Sequence, residues 1–348
     1  MLARSFCALL LIAAFVGSAL PAPAAEPYRP DSALVEAARK EGQVLWYTTL
    51  IVDQIVRPLI RSFHAQVPGV EVKFVRIDSG QQVVRLMNEA RVNRVQADLW
   101  SVIDGVAPLT HNNVAAEFDI ASARGLPASL VDPGRRWIAT NLATRSLGHN
   151  TRLVPPEKAP KSYQDLLDPR WKGAFVWNPN AMTGAWGFIA TVLRHMGEDE
   201  GLAYLHKLAR QDITPLPIAT RAVLDRVIAG EYAMGLEMVN AHVAISRAMG
   251  APAAWVPLDA VTTTLQVGGV TAGAPHPNAG RLFLDFITSR AGQEIFREAN
   301  YIPMHPDVPA KDPMLKAEPG GYKQIVLSPE EVDTNAPRYQ KIYQDIFR

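Results

Sequence analysis

The pattern of apolar and polar positions after residue 30 alternates between helices and buried strands. Residues 32–41 have the apolar spacing of a helix, with Ser32 as the expected N-cap, and 43–47 form an apolar run that predicts a strand. Helical spacing returns at 51–64, with Pro58 as its one irregularity. A strand is predicted at 70–77, a helix at 81–92 and a strand at 97–102. This β-α-β-α-β order predicts a mainly parallel sheet with helices on both faces.

A second α/β block begins near Arg145. Strands are predicted at 174–178 and 232–238, and helices at 183–196, 201–209, 221–229 and 241–249. A β-branched stretch at 262–271 predicts a further strand. Helices at 278–289, 291–299 and 335–347 complete the chain. The length of 348 residues fits about two domains.

The first 25 residues have the order of a secretory signal peptide. Arg4 supplies a positive charge, 6–16 is an unbroken apolar run, and Ala22-Pro23-Ala24 is a small-residue cleavage pattern. The run is shorter than the roughly 20 apolar residues that a membrane anchor needs. We therefore expect a periplasmic protein, cleaved after Ala24 or Ala25.

Composition excludes several classes of function. The only cysteine, Cys7, lies in the predicted signal peptide, so the mature chain offers no cysteine nucleophile and no thiolate metal site. Lys and Arg (35) nearly balance Asp and Glu (34) without long runs of either sign, which argues against nucleic acid or a membrane surface as partner.

Enzyme motifs are missing from the sequence. It contains no G-x-S-x-G elbow, no H-E-x-x-H pair and no G-x-x-x-x-G-K-[ST] phosphate loop. We predict a protein that is not an enzyme and carries no cofactor. A secreted hydrolase is the alternative from another class.

Several stretches together resemble a known family, and two of them are the most specific: Asp165 to Gly173 and Pro275 to Gln293. The others include Val44 to Thr49 and Gly268-Gly269-Val270. The chain resembles the extracellular solute-binding proteins of ABC importers, in the branch that contains the ferric-ion-binding proteins.

The resemblance implies a type II periplasmic-binding-protein fold with two α/β lobes. Lobe one would be 26–140 plus 265–310, and lobe two 141–264 plus 311–348. Hinge strands near 137–147 and 264–270 would let the lobes close around a ligand. The resemblance also implies a monomer that meets the membrane only through an importer permease. A sensor protein as the partner instead of a permease is left open.

Polar residues and glycines follow predicted strands in both halves, at the edge where ligands bind in open α/β sheets. A serine, threonine or aspartate there can be a plain N-cap, but several converging helix starts can also hold an anion. Gly80 and Gly184 would let a ligand approach the backbone. The predicted ligand-binding residues are Thr48, Thr49, Ser79, Gly80, Asp104, Asn178, Thr183, Gly184, Thr220, Arg221, Glu237 and Asn240.

Two charged residues suggest the kind of ligand. Arg221 lies in the first turn of a predicted helix, where the helix dipole disfavours a cation, so a carboxylate or phosphonate partner is the hypothesis. Glu237 could bind an ammonium or hydroxyl group, and both together would suit a zwitterion. Ferric-binding relatives have adjacent tyrosines near this point, where this chain has Glu237-Met238-Val239-Asn240. We therefore predict no metal site, with a ferric or other metal complex as the alternative ligand.

Overall fold

The computed structural model describes residues 27–348, so the predicted signal peptide lies outside the described residues. Twelve α-helices and eleven strands are formed in this part of the chain, besides short 3₁₀ turns and one π-helical turn. The strands are β1 (Gln43–Thr48), β2 (Glu71–Arg76), β3 (Leu99–Val102), β4 (Ile138–Asn150), β5 (Phe175–Trp177), β6 (Thr214–Pro215), β7 (Met234–Val239), β8 (Ala253–Val256), β9 (Ala260–Val270), β10 (Ile302–Pro303) and β11 (Lys323–Leu327). The helices are α1 (Ser32–Glu41), α2 (Arg57–Gln66), α3 (Ser79–Arg91), α4 (Val106–His111), α5 (Ala185–Met196), α6 (Glu198–Leu208), α7 (Thr220–Ala229), α8 (Asn240–Ala248), α9 (Pro277–Thr288), α10 (Arg290–Glu298), α11 (Ala317–Gly320) and α12 (Pro329–Phe347).

The sheet runs in the order β2-β1-β3-β9-β4-β7-β5-β6. At one end β1 is parallel to β2 and β3, and at the other β5 is parallel to β6 and β7. The long strands β9 and β4 lie between the two groups; they are antiparallel to each other, and β9 is antiparallel to β3 and β4 to β7. The predicted alternation is confirmed, and β4 and β9 are the strands that cross between two lobes.

Each lobe has its own apolar core because its helices cover a parallel sheet whose strands are buried. In lobe one, Phe283 makes edge-to-face contacts with Trp46 and Phe63 at centroid distances of 5.4 and 5.0 Å. In lobe two, Trp177 packs against Phe188 and Phe347, so this tryptophan belongs to the core.

Three details differ from the sequence prediction. Asp31, not Ser32, caps α1, because its carboxylate reaches the N–H of Leu34 at 3.0 Å. Pro58 lies in the first turn of α2, where its missing N–H is tolerated, so the expected helix 51–64 is split into a π-helical turn at 52–56 and α2. The last helix begins at Pro329 rather than 335, because Ser328 caps it.

Candidate functional site

The register of the crossing strands brings the strand ends of both lobes together. Val102, at the end of β3, lies opposite Val267 of β9, and Val239, at the end of β7, lies opposite Arg145 of β4. The carboxyl ends of β3 and β7 therefore both point at the middle of β4 and β9. Ligands of open α/β sheets bind at such ends.

One face of the crossing strands forms the floor of this region. Side chains alternate along a strand, and Arg145 is opposite Thr262, so the two share a face. On that face Thr262 donates a hydrogen bond of 3.0 Å to Oε1 of Glu237 in lobe two. Gln266 donates one of 2.7 Å to the hydroxyl of Thr49 in lobe one. The floor is polar and touches both lobes.

Arg145 is the residue of this floor that the sequence prediction missed. Its side chain is 2% exposed, and Nη1 donates to the carbonyl of Ala143 and to the hydroxyl of Thr264 at 3.2 and 2.5 Å. Nε has no partner, and no carboxylate of the described residues lies within 4.0 Å. Burial lowers the pKa of Arg145, and Glu237 and Asp104 oppose this. The sequence signal that could have identified Arg145 is an arginine within a strand predicted to be part of the hinge.

Glu237 is buried next to this arginine in an unusual conformation. It has a φ of +61° within β7, a backbone region that costs energy for a residue other than glycine. Burial raises its pKa to about 8, while Arg145 and the hydrogen bond from Thr262 act in the opposite direction. Oε2 has no partner. Burial therefore favours the neutral acid over the carboxylate, and Oε2 remains without a partner at the floor.

Asp104 is the acidic residue on the lobe-one side. The hydroxyl of Ser79 accepts from the N–H of Ile103 at 3.1 Å and lies close enough to the Asp104 carboxyl to act on its pKa. Burial raises the pKa of Asp104, whereas Ser79 and Arg145 act to lower it. The structure thus brings Ser79 and Asp104 together at the start of α3, with Gly80 exposed beside them.

The two threonines at the end of β1 point in different directions. Thr49 accepts the hydrogen bond from Gln266 and so lies at the floor. Thr48 is fully buried, where its hydroxyl accepts from the N–H of Leu50 and from Ser101. Thr48 contacts the interior of lobe one in this arrangement.

The turn after β5 is held by contacts among its own residues. Asn178 accepts from the N–H of Asn180 at 2.9 Å, and a Cβ on Gly184 would collide with the carbonyl of Asn178. Gly184 is therefore needed for the packing of the turn itself, a reason other than the ligand approach expected from the sequence. The hydroxyl of Thr220 donates a hydrogen bond of 2.8 Å to the carbonyl of Thr183. This bond joins two of the predicted positions, which lie at the starts of α5 and α7.

The remaining positions of lobe two lie around the start of α8. Arg221 is 40% exposed and pairs with Asp225 one turn along α7 at 2.9 Å. Asn240 is buried and donates to the carbonyl of Leu315, so it anchors the start of α8. His242 is close to both arginines of this region. Burial, then Arg221 and Arg145, lower its pKa to about 4, so the imidazole is neutral at neutral pH.

Two observations concern metals and membranes. Among residues 27–348 no group of three or more histidine, cysteine, aspartate or glutamate side chains is placed to hold a metal ion. No helix in the same range has the length and apolar character to cross a bilayer.

Two α/β lobes that share crossing strands, with polar strand ends converging between them, define a two-lobed binding protein. Residues 47–301 match the bacterial extracellular solute-binding proteins, and the chain belongs to this family. The resemblance seen in the sequence is confirmed.

Three known proteins show how close the likeness is. An uncharacterised protein of Haemophilus influenzae is 25% identical over 245 residues, which cover 65% of this chain and 67% of that protein. Iron uptake protein A1 of Synechocystis is 25% identical over 51% of this chain, and the match spans about half of that protein's length (52%). The solved structure of the substrate-binding protein of an ABC transporter from Agrobacterium tumefaciens superimposes with a TM-score of 0.74. It is 18% identical and covers 88% of this chain and 94% of the other.

Proposed function

We propose that this chain is the periplasmic solute-binding component of an ABC importer, and that it delivers a small anionic or zwitterionic solute to a permease. The family supports an extracellular binding role, and the Agrobacterium structure with the same fold is described as a transporter component. The signal peptide predicted at residues 1–25 and the lobe boundaries predicted near 140 and 264 are part of this proposal.

The buried guanidinium of Arg145 carries the proposal. A charge taken out of water is costly unless a counter-charge compensates it. Glu237 forms no ion pair with it, and burial raises the pKa of this acid, which favours its neutral form. A carboxylate, phosphonate or phosphate of a ligand would supply the missing negative charge, and Nε is a free donor for it.

Glu237 adds the second half of the recognition. Its free Oε2 can accept from an ammonium or a hydroxyl group, or donate to the ligand while the acid is protonated. The hypothesis from the sequence paired Glu237 with Arg221. Arg145 acts on the pKa of Glu237, whereas Arg221 is partly exposed and forms an ion pair with Asp225. We therefore assign the anionic group of a zwitterion to Arg145.

Ferric ion is the second candidate, because a relative is named as an iron uptake protein. A guanidinium near both acids, Asp104 and Glu237, repels a trivalent cation and weighs against bare Fe³⁺ at the floor. A ferric complex with an organic anion would be less affected.

A thermal-shift screen of the mature chain tests the proposal. The panel would contain citrate, alkyl and aminoalkyl phosphonates, sugar phosphates, amino acids, and ferric chloride with and without citrate. A ligand at 100 times its dissociation constant stabilises the fold by about 2.7 kcal/mol, so stabilisation by one anionic class is the expected result. A shift with ferric chloride alone would favour the metal alternative. Consumption of a panel compound, followed by NMR, would favour the hydrolase, and no shift at all would contradict the proposal.

A further inference from the structure

The C-terminal helix α12 belongs to lobe two, but its first turn contacts lobe one. Its inner face carries Val332, Tyr339 and Tyr343, which are part of the lobe-two core. On the same lobe, Glu331 forms an ion pair of 2.7 Å with Arg194 of α5. The helix follows β11, which pairs with the crossing strand β9. The first turn of α12 is therefore attached to lobe two beside the hinge.

Asp333 of this helix caps a helix of the other lobe. Its Oδ1 accepts from the N–H of Gly105 at 2.9 Å and its Oδ2 from the N–H of Ala107 at 2.7 Å. These N–H groups belong to the start of α4, whose own N-cap is Gly105 and which has no capping side chain of its own. A carboxylate at a helix start satisfies free N–H groups and interacts favourably with the helix dipole. Lobe two thus supplies the cap that lobe one lacks.

A second contact of the same kind lies one turn earlier. Glu330 accepts from the indole N–H of Trp137 at 2.6 Å, and Trp137 is 2% exposed in the lobe-one core. Residues three apart on a helix share a face, so Glu330 and Asp333 both point at lobe one. Glu331, between them, points at Arg194 of lobe two.

These contacts lie directly beside the binding region, because Asp104 immediately precedes Gly105. We propose that Asp333, assisted by Glu330, is a positioning residue that holds the two lobes closed and so sets the affinity for whatever solute the cleft takes. All three hydrogen bonds join the lobes in this conformation, and a hinge motion that moves α4 and Trp137 away from α12 would break them. This inference does not depend on the chemical class of the ligand.

The Asp333 contact should affect ligand affinity through the fraction of molecules in which the lobes are closed. A ligand that binds the closed state is weakened in proportion to the fraction of molecules that are closed. Hydrogen bonds to a charged group contribute enough that loss of this carboxylate should lower the apparent affinity about tenfold. The effect should fall on dissociation, because the lobes must separate and break this contact before a bound ligand can leave.

The distance between the lobes can be measured without any ligand. The only cysteine is Cys7 in the predicted signal peptide, so a mature chain can be spin-labelled at two introduced cysteines. Val84 of lobe one and Met249 of lobe two are 61% and 72% exposed and suit the labels. Electron-electron double resonance would compare the parent with Asp333→Ala, Asp333→Asn and Glu330→Gln. Glu331→Ala is the matched control, because it breaks an ion pair of the same turn that stays within lobe two.

We expect Asp333→Ala to shift the distance distribution towards longer values, Asp333→Asn and Glu330→Gln to shift it less, and Glu331→Ala to leave it unchanged. Identical distributions for the parent and all the variants would show that the contact is a static part of the hinge and would overturn the proposal. An equal shift in Glu331→Ala would also overturn it. If Asp333→Ala does not fold, the two milder variants decide. Once a panel compound binds, its dissociation rate should rise about tenfold in Asp333→Ala. A screen without any binder would count against the proposed function and leave the distance result valid.

Discussion

Arg145 and Glu237 are buried near each other at the junction of β4 and β7, yet no ion pair within 4.0 Å joins them. Each influences the pKa of the other, and each keeps one polar atom without a partner. Buried polar atoms are rarely left unpaired in proteins, and the exceptions are often functional. The strained φ of Glu237 also fits a functional role, because backbone strain of this kind is concentrated at functional sites, where the surrounding structure enforces it.

Replacing Arg145 should abolish capture of an anion. We expect Arg145→Met to weaken binding of the best anionic panel compound about 100-fold, because a charge-assisted hydrogen bond and its counter-charge are lost. Isothermal titration calorimetry measures this directly. Arg221→Ala is the comparison, with a smaller expected loss, because Arg221 is half-exposed and paired with Asp225. A larger loss in Arg221→Ala than in Arg145→Met would place the anion at the rim instead.

Glu237 should make the folded state less stable as the pH rises. Its pKa is about 8 when folded, above its ordinary value of 4.5, so the folded chain binds more protons than the unfolded chain between these values. The free energy of unfolding therefore falls as pH rises from about 4.5 to 8. Glu237→Gln removes this contribution. Urea denaturation at pH 5.5 and 8 should show a smaller fall for the variant than for the parent, and equal falls would contradict the assignment.

His242 should have the opposite pH dependence. Its folded pKa of about 4 is below the ordinary 6.5, so the folded chain binds fewer protons in that interval. Its contribution to stability is complete above about pH 6.5 and is lost as the pH falls towards 4. We expect His242→Asn to lose less stability than the parent between pH 7 and 4.5 in the same denaturation experiment. If the parent and His242→Asn lost the same stability between pH 7 and 4.5, the histidine would have its ordinary pKa in the folded chain.

Two glycines of the candidate site should respond differently to alanine. A Cβ at Gly184 meets the backbone carbonyl of Asn178, whereas a Cβ at Gly80 meets nothing within 4 Å. Gly184→Ala should therefore lower the free energy of unfolding by roughly 3 kcal/mol or prevent folding. Gly80→Ala, in the first turn of α3, should change it by less than about 1 kcal/mol. Similar values for the two variants would show that the turn after β5 can rearrange at little cost.

Local pattern was enough to predict most of the architecture. The alternation of helices and strands in both halves could be inferred because apolar periodicity reports which face of each element is buried. The positions of polar residues at strand ends followed from the same reasoning. The start of α2 was missed because Pro58 is compatible with a helix only in its first turn, and where that turn begins depends on the residues around it.

The side chains that form the floor could not be predicted in the same way. Thr48 and Thr49 are neighbours in the chain, but the first contacts the interior of lobe one and the second contacts Gln266. Adjacent residues at a strand end point to opposite sides, and only the position of β9 decides which side is the cleft. Arg145 was missed because its burial depends on β7 and β9, which come about 90 and 115 residues later in the chain.

The sequence by itself therefore determined the class of fold and the likeness to solute-binding proteins, because these follow from local periodicity and motifs. The edge of the sheet where a ligand would bind stays a prediction of the sequence. The tertiary structure alone decided which groups meet there. It placed Arg145 near an acid of each lobe without an ion pair to either, and brought Asp333 to the start of α4, 228 residues earlier in the chain. Such meetings depend on strand register and lobe packing, which connect residues far apart in the chain.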